Sequence, residues 1–152
     1  MSEEPEITVT AAIIIEDGRV LIAQRPPGGR HAGEWEFPGG KVEPGETPER
    51  CLARELAEEL GVTVKVGKAM GRVRHSYPDL VIDLLAYQAA ITAGTLEDIE
   101  CSAHVWALPE ELRDYDLLPP DRVLAAEIFE VSRCDPARGN CSHSPRSYSW
   151  LA

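Results

Sequence analysis

The chain has 152 residues and carries 15 Lys and Arg against 26 Asp and Glu, a formal charge of −11 with neutral histidines. Its length suits one domain, 1–131, followed by a tail, 132–152, and 43% hydrophobic with 27% charged residues is the composition of a globular chain. The longest apolar run, Ala11 to Ile15, is strand-sized, far below the ~20 residues of a bilayer span, and the negative charge argues against polymeric nucleic acid as a partner.

The N-terminus, Met1-Ser2-Glu3-Glu4-Pro5-Glu6, is acidic where a secretory signal is basic and then apolar, so a cytoplasmic location with reduced cysteines is expected. Glu6 to Ile15, rich in Ile, Val and Thr, and Val20 to Ala23 read as strands joined through Asp17-Gly18 in a hairpin. A short strand from Trp35 to Phe37 follows a Pro/Gly-rich loop. Thr47-Pro48 then opens a helix, with Thr47 as N-cap and Gly61 as its C-terminal stop. Strands are predicted across Val62 to Val73, Leu80 to Ile91 and Ala103 to Leu108, and a second helix from Pro119 or Pro120 to Val131. The remaining residues lack any period and read as a loosely held tail. Cys134, Cys141 and His143 within it lack a fourth ligand and the usual short spacing, so no zinc site is expected there.

Chemistry appears on the first helix. At ~100° per residue, Leu52, Leu56, Leu60 and Ala53 fall between about 60° and 160° from Glu55, while Glu55, Glu58 and Glu59 span about −60° to 40°. One face is core and the next is three carboxylates, which repel one another and oppose the helix dipole. Either this is a solvated face with Arg54 reaching Glu58, or the carboxylates hold a hard divalent cation such as Mg²⁺ or Mn²⁺. The preceding loop, Gly39-Gly40-Lys41, brings backbone close to a ligand beside a lysine able to meet a phosphate.

From Gly40 to Val62 the residues match the pattern G-x5-E-x7-R-E-U-x-E-E-x-G-U, U being a bulky aliphatic, at Gly40, Glu46, Arg54, Glu55, Leu56, Glu58, Glu59, Gly61 and Val62. This is the Nudix box, and the chain resembles the MutT-like branch of Nudix hydrolases with its cytidine triphosphate pyrophosphohydrolase relatives. The run from Glu34 to Glu46, the hairpin ending in Arg25, His75 to Asp79, Glu100 six residues before Trp106, and Leu118-Pro119-Pro120-Asp121 carry the same resemblance. It implies an α/β fold, an α/β/α sandwich around a mixed β-sheet. It also implies hydrolysis of a (d)NTP to (d)NMP and pyrophosphate as nucleotide-pool housecleaning, on cytidine-type or oxidised purine nucleotides. By position, Glu55, Glu58, Glu59 and Arg54 would be catalytic, with the three glutamates and the Gly39 carbonyl as Mg²⁺ or Mn²⁺ ligands. Gly40, Glu46 and Gly61 would be structural, and Arg25, Phe37, Lys41 and Asp121 would bind substrate.

One departure stands out: the family pattern has a further metal-binding glutamate just before the tryptophan matched to Trp106, where this chain has Val105. Glu100, if its loop folds inward, or His104 could stand in. Arg72 and Arg74 share one side of a strand, as a solvated face or a second phosphate clamp. Trp35, Phe37 and Tyr77 could stack on a base or belong to the core. Asp121 either reads the base, as an ionised acceptor suited to cytosine N4, or caps the last helix. Other nucleoside diphosphate derivatives, ADP-ribose among them, and non-catalytic nucleotide binding are the alternative functions. A small-molecule nucleoside triphosphate is the expected partner, with the chain a monomer or homodimer.

Overall fold

The computed structural model describes residues 5–129. Strands β1 (Glu6–Glu16) and β2 (Arg19–Gln24) are joined by Asp17 and Gly18, both at positive φ (51° and 76°), the backbone twist that a two-residue hairpin demands. The hairpin pairs only near its turn, Ile15 with Val20 and Glu16 with Arg19. Beyond that point β3 (Trp35–Glu36) takes over the pairing with β2, Ala23 opposite Glu36. The residues that follow β3 bond to β1: Ala12 N donates to Pro38 O (2.7 Å), Thr10 N to Gly40 O (2.8 Å) and Val42 N to Thr8 O (2.9 Å). The glycine loop is therefore wedged beside β1, fixed by backbone bonds at a place where β2 has turned away.

Helix α1 (Pro48–Leu60) comes next, then the long hairpin β4 (Thr63–Tyr77) and β5 (Leu80–Ala93), β6 (Ala103–Ala107), a 3-10 turn (Pro109–Asp114) and α2 (Pro119–Phe129). β1 runs parallel to β5, giving the order β3-β2-β1-β5-β4, and β6 pairs antiparallel along β2 from Val20 to Gln24. The two-residue alternation of β1 divides the core. Ala11 and Ile13 pack with Leu124, Ala125 and Phe129 of α2, while Ala12 and Ile14 pack with Leu52, Leu56 and Leu60 of α1. A mixed sheet between two helices results, an α/β/α sandwich.

Three local differences separate structure from sequence expectation. β4 runs on from Val73 to Tyr77 and reverses at Pro78-Asp79, because pairing of Tyr77 with Leu80 extends the ladder past the apolar stretch. The 3-10 turn is too short to carry a periodic signal, yet it buries Leu112. α2 begins at Pro119, so Asp121 lies inside its first turn and does not cap it. The expected helix end at Val131, the tail 132–152, and Cys134, Cys141 and His143 lie outside the described residues.

Candidate active site

α1 is bounded as its sequence dictates. Thr47 Oγ1 accepts from Arg50 N at 3.2 Å, and Gly61, at φ 71°, closes the far end with its N–H on Ala57 O (3.1 Å). Burial of Cys51, Leu52, Leu56 and Leu60 fixes the helix rotation and turns the glutamate face toward the glycine loop. The approach is close enough to require glycine. A Cβ on Gly40 would lie 2.3 Å from Glu55 Cδ, and one on Gly39 would lie 1.9 Å from Thr10 O.

Arg54 is the hub of this junction. It forms a bidentate pair with Glu46, Nε to Oε2 at 2.7 Å and Nη2 to Oε1 at 2.9 Å. Its Nη1 also donates to Glu55 Oε1 (2.9 Å) and Glu58 Oε2 (3.2 Å), and Nη2 to Lys41 O (3.2 Å). Glu46 in turn accepts from Glu43 N at 3.1 Å, so one guanidinium ties helix, turn and loop together. The hydrogen bonds from Arg54 hold the Glu46 carboxyl down at about 2. Glu55 moves the other way: its burial raises its pKa more than Arg54 lowers it.

Glu59 is pushed up to about 8, first by burial and then by the neighbouring charges of Glu36, Glu55 and Glu100, with the Gly39 N–H opposing. Glu100 reaches this cluster because its loop folds inward over the end of α1. Ile99 N and Glu100 N both donate to Glu59 O, at 3.1 and 3.3 Å. Four carboxylates thus crowd one end of the molecule. Among the described residues no three acidic, His or Cys side chains converge on a single ligating point, since Glu55 and Glu58 are turned onto Arg54. The donor set is nonetheless all carboxylate and backbone oxygen, with charge in excess of its arginines, which fits Mg²⁺ or Mn²⁺ and not a softer ion. Val105 faces the α2-side core and His104 Nδ1 sits 2.5 Å from Asp98 Oδ1, while Glu100, exposed, is near enough for its charge to act on Glu59.

A cleft of about 390 Å³ leads away from these carboxylates. Its lining includes Glu55, Glu59, Gly39, Gly40 and Lys41, with Val9 bridged directly to Lys41, and also Ile82, Leu84, Phe37 and Asp121. Arg25 also lines it, its Nη1 3.1 Å from Glu36 Oε2. Glu36 is the site residue that sequence reading did not single out. Within Trp-Glu-Phe it looks like the outward position of a short strand, and only its register beside Ala23 turns it into the cleft, where burial raises its pKa despite Arg25. Asp121, 4% exposed, accepts from Phe37 N at 2.9 Å through Oδ2. Burial first, then the charge of Glu36, lifts it well above the carboxylate range. Burial therefore works against the ionised form, while the Phe37 N–H bond favours it, and only a protonated carboxyl could donate as well as accept.

The remaining candidates separate cleanly. Tyr77 lines the cleft, and Phe37 belongs to both cleft and core. Trp35 packs on the α2-side core, edge-on to Tyr115 with ring centroids 5.1 Å apart. Arg72 makes a bidentate pair with Asp83 (2.7 and 2.8 Å) and Arg74 reaches Glu6 (3.3 Å); both are exposed outside the cleft, a solvated face.

The pattern described as NUDIX domain matches residues 10–127. The chain is 42% identical over 131 residues to the CTP pyrophosphohydrolase of Escherichia coli K12, covering 86% of this chain and 97% of that protein. It is 39% identical over 127 residues to a putative 8-oxo-dGTP diphosphatase 2 of Mycobacterium tuberculosis, covering 79% and 86%. The solution structure of the E. coli ORF135 protein superposes with a TM-score of 0.73 at 40% identity, over 88% of this chain and 96% of that one. Likeness that extends through the box, both helices and the sheet settles the family: the chain belongs to the Nudix family and is a Nudix hydrolase.

Proposed function

We propose that the chain converts a (deoxy)nucleoside triphosphate to the monophosphate and pyrophosphate, acting first on CTP, dCTP or 5-modified dCTP and second on 8-oxo-dGTP. The observation that carries this reading is a single cleft lined both by the carboxylates Glu55 and Glu59 and by the buried Asp121, with Ile82, Leu84 and Phe37 among its apolar walls. The full-length likeness to a CTP pyrophosphohydrolase favours the cytidine type. Burial pushes the Asp121 carboxyl toward the protonated form, which unlike the carboxylate could donate to a purine O6, and this keeps oxidised guanine as second substrate. No carboxylate is missing from the box, which favours catalysis over simple nucleotide binding.

Nudix hydrolases generally use divalent ions, and Mg²⁺ or Mn²⁺ held by Glu55, Glu58, Glu59 and the Gly39 carbonyl would neutralise phosphate charge and acidify water. Glu100 supports the same end of the cluster. Arg25 and Lys41, both lining the cleft, bind phosphate oxygens, and Arg54 holds Glu55 and Glu58 side by side through hydrogen bonds that a bound cation would compete with. Water adds to phosphorus as the bridging P–O bond breaks, and its proton passes to a carboxylate oxygen of the cluster. Asp121 and Phe37 orient the base. One chain supplies every group, so a monomer or homodimer serves, working on the cytoplasmic nucleotide pool.

Incubation with CTP, dCTP, 8-oxo-dGTP and ADP-ribose in Mg²⁺, with chromatography of the products, tests this. Monophosphate and pyrophosphate are expected, with turnover abolished by excess chelator. Diphosphate with orthophosphate as main products, preference for ADP-ribose, or full activity in chelator overturns it.

A further inference from the structure

The loop joining β2 to β3, residues 25–34, and the turn joining β4 to β5 meet at the cleft, which Arg30, His31, Tyr77 and Leu80 help to line, with Tyr77 close enough to feel the charges of both Asp121 and Arg30. Arg30 Nη2 lies 2.7 Å from Asp79 Oδ1, and the His31 ring lies 5.2 Å from that of Tyr77, which is itself edge-on to His75 at 4.6 Å. We propose that Arg30 and Asp79 are a latch that holds the 25–34 loop over the bound base and so sets how long nucleotide stays in the cleft. The latch rests on the nucleotide reading above and adds residues that neither the box nor the base-facing Asp121 includes.

The loop is built to be held from both ends. Arg25 Nε donates to Arg30 O at 3.2 Å while its Nη1 holds Glu36, so the guanidinium expected to meet phosphate also anchors the latch arm. Glu34 N donates to His31 O at 3.1 Å, and His31 Nδ1 lies 3.2 Å from Glu34 Oε2. His31 is kept at φ 59°, a backbone region that residues with a Cβ enter only when their surroundings hold them there. Gly28 and Gly33, at φ 88° and 81°, bracket the segment, and a side chain at either would meet open space. Arg30 and Asp79 are each 58% exposed, so their bond adds little to the stability of the fold; its effect falls on opening.

The test is the rate at which a fluorescent cytidine monophosphate leaves the protein, followed by stopped flow, alongside binding and hydrolysis in the same preparation. Arg30→Ala and Asp79→Ala should each speed release about threefold, the scale of an exposed ion pair, with unchanged melting. The charge swap Arg30→Asp with Asp79→Arg should restore release to within about twofold, and at 1 M salt the ratio of single variant to unaltered protein should approach one. Unchanged release in the single variants, or faster release that the swap leaves uncorrected, overturns the latch while hydrolysis continues. Failure of the unaltered protein to bind any nucleotide overturns the nucleotide reading and the latch with it.

Discussion

Asp121 shows how much one side chain depends on its surroundings. An aspartate near Pro119-Pro120 has an ordinary reason to exist as a helix cap, yet here its carboxyl is buried, bonded to Phe37 N, and faced by the charge of Glu36. Asp121→Asn keeps an acceptor for Phe37 and replaces a titrating hydroxyl with a permanent donor. If it reads the base, the ratio of kcat/KM between dCTP and 8-oxo-dGTP should change by about tenfold or more, the scale of one mismatched buried hydrogen bond. Steady-state kinetics on both substrates checks this. An unchanged ratio with a lower Tm would leave Asp121 a packing residue. Gly40 makes the complementary point, since Glu55 occupies the space in which any Cβ would sit.

At the scale of the element, α1 carries two opposed demands. Its apolar stripe wants the core, and its glutamates, repelling one another and opposing the dipole, want neutralisation. Arg54 supplies part of that, and the bidentate Glu46 pair fixes Arg54 so that it serves Glu55 and Glu58 together. The helix start is secured separately by Thr47. Thr47→Ala should lower stability by about 1 kcal/mol, a fall in Tm of roughly 3 °C for a chain of this size, with the glutamate cluster and kcat unaffected. Thermal melting with parallel assays decides it. A large loss of kcat would mean that the cap, and not packing against Ala12 and Ile14, sets the helix position.

At the scale of the molecule, Glu36, Glu55, Glu59 and Glu100 come within reach of one another where α1, the glycine loop and the 94–102 loop meet. Glu59 there, raised by burial and by Glu36, Glu55 and Glu100 to about 8, carries a stability consequence whose sign is fixed by linkage. Its carboxyl is protonated in the folded state over a range where the unfolded chain is already ionised. The stability it contributes is therefore complete below about 4.5 and is lost as pH rises through about 8. In metal-free buffer the Tm of the unaltered protein should fall relative to Glu59→Gln between pH 5 and pH 8. Adding Mg²⁺ at pH 8 should raise Tm more in the unaltered protein than in the variant, which should also lose orders of magnitude in kcat. Parallel Tm curves for the two proteins would remove Glu59 from the charged cluster.

The sequence by itself determined what depends on near neighbours along the chain. Asp17-Gly18 required a hairpin, Thr47 and Gly61 bounded α1, and Glu55, Glu58 and Glu59 shared a face because 3.6 residues make a turn. The spacing of the box, from Gly40 to Val62, made the family legible for the same reason. Only the tertiary structure decided the contacts between segments distant in sequence. Glu36 entered the site through a two-residue strand paired with β2, Glu100 through a loop bonded to the Glu59 carbonyl, and Arg30 met Asp79 across 49 residues. Asp121, open in the sequence to base reading or capping, is placed inside the first turn of α2 and buried, and burial with Glu36 nearby raises its pKa. Burial and proximity to other charges govern ionisation, and neither exists until the sheet and helices have packed.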